Sequence, residues 1–503
     1  MPGELSGRLR DESEAMLDCV GRSAPLASVE DLSHHATPCR TIDGDDEDDG
    51  PRKTSGPVSP AAEDEILATE GLMETPHHFL CPKENAAVDR CYIVYLIFLL
   101  HGMGTLMPWN MFITAKGYFV DYKMSKEYTG AESNYATNFL AYIGFAAQVP
   151  NLVFNWLNVF IQLGGSLTRR IVWSIFVEVI VFILTVVLAM TDSSGWPGVF
   201  FWVTMATVVL LNMACGIYQN SVYGMAARLP FKYTGAVVLG SNISGTFTAI
   251  ISIISLAVAP NVRTAAIYYF ITALFILLAC FDTYFALPLN RFYRYHELLN
   301  QKGHQSKLKE NLGVIPQTPY LKIFKQCLPQ LFNVFFVFFV SLSIFPAVHS
   351  DIQRSDENFF LSDKYFTAVT CFLTFNFFAM VGCTTAAWFQ WPGPKYLVVP
   401  VVLRLLFIPF FVLCNYLPQN LTRVFPILIK NDWAYWAGGI LLGLTSGHFS
   451  SLAMMYCPRM VEPHYKVTAG MYGAASLITG IFSGILFTMI FPWFVSEVSW
   501  NFS

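Results

Sequence analysis

The sequence predicts an all-α membrane protein in which eleven helical spans form two bundles, six and then five. Three observations carry that expectation. The 503 residues are 54% apolar, 16% aromatic and only 13% charged, where soluble domains carry about 25% charge. The charge is unevenly placed: residues 1–90 hold 8 Lys and Arg against 20 Asp and Glu, and the rest hold 23 against 15. Eleven apolar stretches, each long enough to cross a hydrocarbon core about 30 Å thick, follow one another from residue 92 to residue 493. So few charges cannot cover a soluble surface of that size. The pattern excludes a soluble enzyme, a nucleic-acid-binding module and a secreted disulfide scaffold.

Residues 1–90 come first. They are polar, poor in aromatics and contain the acidic run Asp45–Asp49. Such a segment buries too little apolar area to offset its ordering entropy, which predicts a disordered tail. It lacks the basic and apolar regions of a signal peptide. The expected spans lie near 92–114, 136–162, 171–190, 197–223, 234–258, 264–288, 328–349, 366–390, 396–416, 433–456 and 467–493. These runs are too long and too uniformly apolar for the alternating strands of a membrane barrel. They divide into an N-terminal bundle (91–288), a basic loop (289–327) and a C-terminal bundle (328–503). The 11 cysteines form no CxxC pair and sit mostly inside apolar runs, as small apolar residues do. No metal site or cofactor is expected.

Orientation follows from basic residues in short loops, which favour the cytosol. With the N-terminus inside, the inner loops hold Arg169, Arg170, Arg228, Lys232, Lys395, Arg459, Lys466 and the seven Lys and Arg of the 289–327 loop. The outer loops hold fewer. The tail is therefore expected in the cytosol and the C-terminus outside. The glycosylation sequons at Asn420 and Asn501 then fall outside, and the plasma membrane is the expected location. Two bundles around a central path are a common transporter plan. A seven-span receptor is excluded by the count. No GxxxxGK[ST] loop for ATP occurs.

Polar groups at membrane depth usually face a bundle interior or cavity. Trp109 and Asn110 follow Pro108 in span 1. Span 2 carries Gln148, Asn151, Asn155 and Asn158 at spacings that form one helical stripe. Span 4 has Gln219 and Asn220, span 5 Asn242, span 8 Thr374 and Asn376, and span 10 His448. Neutral amides, hydroxyls and aromatics suit an uncharged polar solute with an aromatic face. Taken one at a time, the same residues serve equally well as glue between helices. Glu178 in span 3 and Asp282 in span 6 are the charges noted there: each could relay a proton or play a structural part.

The residues then show a family resemblance. Gly104-Thr-Leu-Met-Pro-Trp-Asn-Met-Phe-Ile-Thr-Ala115 resembles the first-helix signature of equilibrative nucleoside transporters. Gln219 with Tyr223-Gly224 and Leu229-Pro230, Phe345-Pro346-Ala-Val348, Cys371-Phe-Leu-Thr-Phe-Asn376, Trp391-Pro-Gly393, Leu413-Cys-Asn415 and Thr468-Ala-Gly470 continue the pattern in order, most like insect members. The resemblance implies a major-facilitator-like arrangement and sodium-independent facilitated diffusion of nucleosides such as adenosine and uridine, with nucleobases as a further class. It implies that Trp109 bounds the base pocket, that Gln219 hydrogen-bonds the base, and that Ile113, Gln148, Asn151, Phe345 and Asn376 line the path.

One departure matters. The aspartate and arginine that hold the ribose in the family are replaced by Ala379 and Cys383. Both partners are gone together, so no orphan charge is left. The loss predicts changed ribose discrimination, with Asn376, Thr374 and His448 as substitutes. The competing reading on the same fold is an organic-cation or proton-coupled carrier, with Glu178 as its acid.

Overall fold

The computed structural model describes residues 87–115, 118–130, 139–161, 166–258, 261–310, 318–418 and 422–498. The acidic tail before residue 87 and the sequon residues Asn420 and Asn501 lie outside the described residues. Helices stand at all eleven predicted places: α1 (Ile93–Thr114), α2 (Phe139–Phe160), α3 (Leu167–Met190), α4 (Pro197–Ala226), α5 (Lys232–Val258), α6 (Val262–Ala286), α7 (Tyr320–Ile344), α8 (Thr374–Trp388), α9 (Val398–Leu403, continuing to Leu413), α10 (Asp432–Tyr456) and α11 (Lys466–Thr488). Among the described residues nine helices are long and apolar enough to cross a membrane. The other two of the eleven are α2, whose four amides lower its hydropathy, and the shorter α9.

Local chemistry explains where several helices begin. The Asp89 carboxylate accepts the Val94 and Tyr95 backbone N–H groups, both at 3.1 Å, at the start of α1. Ser166 caps α3 by accepting from Arg169 N. Asn431 caps α10 by accepting from Trp433 N and Ala434 N, and Pro197 opens α4. Each satisfies donors that a helix start leaves free, or removes one.

The stretch expected as a basic loop differs from that reading. Arg291–Glu310 is a helix of 20 residues, called the connecting helix below. Span 7 begins at Tyr320, so Lys322 and Lys325 lie in its first turns. Those charges hid its start, because a hydropathy window cannot begin a span on two lysines. The α9 stretch carries a buried charge that its apolar composition hides. Arg404 donates to Val337 O and Ser341 Oγ at 2.7 Å and to Thr445 Oγ1 at 3.2 Å. It ties α7, α9 and α10 together through neutral oxygens.

The two halves are built alike. In the first, α1 packs on α5 and α2 on α4; in the second, α7 packs on α11 and α8 on α10. Between them, α2 and α4 meet α11, while α8 and α10 meet α5. Each pairing maps onto its counterpart by a shift of six helices, which is an internal-repeat architecture. The core is divided unequally. Toward the connecting helix, one buried cluster runs from Val94 and Tyr223 to Leu452 and Ile478, spanning both halves. At the opposite end each half keeps its own, around Phe112, Phe182 and Phe270 in the first and Ile344, Phe411 and Tyr435 in the second. Among the described residues the apolar core is thus continuous across the halves at one end and divided at the other.

Candidate substrate site

The amide stripe of α2 splits into two uses. Asn158 is structural: its Nδ2 donates to Asn220 Oδ1 at 2.9 Å and its Oδ1 accepts from Arg170 at 3.0 Å. Asn220 in turn donates to Met471 O at 2.8 Å, so the chain of bonds links α2, α3, α4 and α11. Nearer the middle, Asn155 donates to Asn151 Oδ1 at 2.9 Å, and both asparagines lie against Gly216 of α4, where a Cβ would fall 2.8 Å from Asn151 O. Gly216 is one helical turn before Gln219.

Gln219 is the informative residue. It is buried, and among the described residues neither its Oε1 nor its Nε2 has a hydrogen-bond partner. Gln148 Oε1 and Asn155 Oδ1 are buried and unpartnered as well. Leaving a buried polar group unsatisfied costs about 1–3 kcal/mol. Three such side chains on two packed helices leave buried donors and acceptors that a polar ligand is able to complete.

The remaining predicted residues stand on α1, just past α7 and on α8. On α1, Trp109 is half-buried against the first half's separate core, and its neighbour Asn110 donates to Ser244 of α5 at 3.1 Å. The side chain of Ile113 lies outside the described residues. Phe345, just past α7, stacks on Phe375 of α8 with centroids 4.1 Å apart and planes 14° from parallel. The next residue, Asn376, donates to Phe372 O at 2.9 Å and fills the space above Gly245 of α5. A run of π-type turns, Ala368–Leu373, leads directly into this segment, and such turns are frequent at functional sites.

Two of the three accessory candidates are tied up by protein contacts, while both buried carboxylate oxygens of the third, Glu178, have no hydrogen-bond partner among the described residues. Thr374 accepts from Trp436 Nε1 at 2.8 Å and donates to Val369 O. The His448 ring nitrogens meet Thr385 Oγ1 at 3.0 Å and Trp391 O at 2.9 Å. Neither has a polar atom left over for a sugar in this arrangement. Glu178 is fully buried within the first half, in the same neighbourhood as Cys215 of α4. His101 was passed over by sequence reasoning. It is buried in α1 with one ring nitrogen on Tyr218 OH at 2.7 Å and the other unpartnered. A histidine at membrane depth is the signal that would have found it.

The two departed positions are packed rather than open. A Cβ on Gly447 of α10 would collide with the Ala379 carbonyl. Cys383 donates to Gly447 O at 3.3 Å and accepts from Asn242 Nδ2 at 3.3 Å. These contacts close α8 onto α10 and α5, with small side chains where the family carries an ion pair.

The family model described as "Nucleoside transporter" matches residues 205–493. Equilibrative nucleoside transporter 1 of Homo sapiens is 30% identical over 449 residues, covering 80% of this chain and 97% of its own. The chain belongs to the equilibrative nucleoside transporter family. Equilibrative nucleoside transporter 3 of Rattus norvegicus is also 30% identical, covering 78% of this chain and 87% of its own. Among solved structures, a major facilitator superfamily proton:xylose symporter aligns with a TM-score of 0.53 at 10% identity, over 81% of this chain and 90% of its own. That likeness concerns the fold, and it agrees with the repeated six-helix packing. As a member of this transporter family, and with nine apolar helices among its described residues, the chain is a multi-pass membrane protein, not an enzyme.

Proposed function

We propose that this protein carries nucleosides across the plasma membrane by sodium-independent facilitated diffusion, alternating a single central site between the two sides. The observation that carries the reading is Gln219, a buried amide with both polar atoms unpartnered, in a member of this family. An amide offers one donor edge and one acceptor edge, the complement of a nucleobase edge. Trp109 and the Phe345–Phe375 stack supply flat apolar faces for the ring. All eleven helices span, with the N-terminus in the cytosol and the C-terminus outside. The joined end of the two halves is then cytosolic, and the site opens outward.

The sugar is held without an ion pair. Charge-assisted bonds contribute about 1.5–3 kcal/mol each, so the Ala379 and Cys383 positions lower the preference for ribose over deoxyribose. Counterflow in proteoliposomes tests the carrier reading. Internal uridine should accelerate entry of labelled uridine severalfold, and 2′-deoxyuridine should compete within about threefold of uridine. Entry that ignores internal uridine would indicate a pore. A strict need for the 2′-hydroxyl would contradict the account of the sugar site.

A further inference from the structure

We propose that the connecting helix, Arg291–Glu310, binds the headgroups of anionic phospholipids in the cytosolic leaflet. The inference rests on the orientation given above, which places this helix on the cytosolic side. Only a short turn, Leu287–Leu289, separates it from the end of α6, so its first turns lie where that span leaves the hydrocarbon.

One side of the helix is fixed. Phe292 is buried and stacks on Tyr233 at the start of α5, with centroids 5.3 Å apart and planes 30° from parallel. Tyr233 donates to Asp89 at 2.9 Å, and Asp89 caps α1. Those contacts hold the helix beneath the bundle.

Among the described residues the other side of its first three turns is exposed. At about 100° per residue, Arg294, Leu298, Arg291, Lys302, Tyr295 and Leu299 fall within an arc of roughly 140°, and all six are exposed. Leu298 and Leu299 are 49% and 51% exposed. Arg294 is steadied at the membrane end by donating to Pro288 O at 3.1 Å. Three cations interleaved with two leucines and a tyrosine match a boundary that is anionic at the headgroups and apolar just below. A purely aqueous face has no use for the leucines, and a bare phosphate site has none either. Near an anionic surface each cation favours association by roughly fivefold.

The test uses the full chain in neutral detergent. Its thermal unfolding midpoint is measured with added phosphatidylserine or phosphatidylcholine, at 0.15 M and 0.5 M salt. Phosphatidylserine should raise the midpoint by several degrees more than phosphatidylcholine, and salt should erase the difference. Arg291→Gln, Arg294→Gln and Lys302→Gln together should abolish it, whereas Lys395→Gln should leave it unchanged. Leu298→Ser with Leu299→Ser should shrink it. An equal shift in the triple variant, a shift reproduced by inorganic phosphate, or no difference between the lipids would overturn the proposal. The readout needs no substrate, so failure here is separable from failure of the transport reading.

Discussion

Gln219 is held in α4 with both amide atoms unsatisfied. That makes it a cost to the empty protein, one that the proposed substrate would remove. Gln219→Met keeps the volume and removes the orphaned atoms. The empty protein should then unfold at a higher temperature, by the equivalent of about 1–3 kcal/mol. Affinity for uridine should fall by about 2–12-fold, the worth of a neutral hydrogen bond of 0.5–1.5 kcal/mol. Scanning calorimetry and uptake kinetics on the same preparation read the two signs, and a drop in both would place Gln219 in packing alone. Gln219 and Trp109 stood out in the sequence because amides and tryptophans are rare at membrane depth. The division of the α2 stripe did not. Asn155 and Asn158 share one helix face by spacing, yet only the partners on α3 and α4 decide that Asn158 is consumed by structure. Nothing local separates a free His448 from one spent on Thr385 and Trp391 O.

At the scale of elements, apolar runs bounded by turns marked the helices α1 to α11, because an apolar helix satisfies its backbone internally. The connecting helix was missed for the opposite reason. It is polar, and its stability comes from Phe292 and Tyr233 rather than from a visible apolar stripe. Its docking has a pH signature. His296 is half-buried, and burial, with Lys466 nearby, pushes its imidazole below the ordinary range. A base whose folded value is lowered favours the docked state above its free value of about 6.5 and loses that stability as pH falls through it. Hydrogen exchange across 291–302 should therefore quicken between pH 7 and pH 5.5, beyond the intrinsic rate, and His296→Gln should flatten the dependence. Exchange that is unchanged over this range in the parent protein would show that His296 does not govern the docking.

For the whole molecule, the basic stretch expected between two bundles falls between α6 and α7, where the repeated packing of the helices starts again. The conformation was not legible in the sequence, since open and closed forms of a carrier differ by a few kcal/mol. The joined end shows what holds this form. The Arg459 guanidinium lies 3.9 Å from the centre of the Phe231 ring, bridging the loops before α5 and after α10. Asn220 reaches Met471 O close by. Cation–π contacts at exposed sites contribute about 0.5–1 kcal/mol. Arg459→Ala should thus shift the balance toward the opposite opening by about two- to fivefold. Pulsed electron resonance between labels at positions 228 and 462 should show a growing longer-distance population, and an unchanged distribution would place closure elsewhere.

The most direct measurement is uptake of radiolabelled uridine and adenosine into cells lacking their own carriers, with the protein shown at the surface, with and without sodium. Saturable uptake of both, equal in the two media, is the expected result. No uptake of either nucleoside would contradict a nucleoside site built around Gln219 without the family's ion pair.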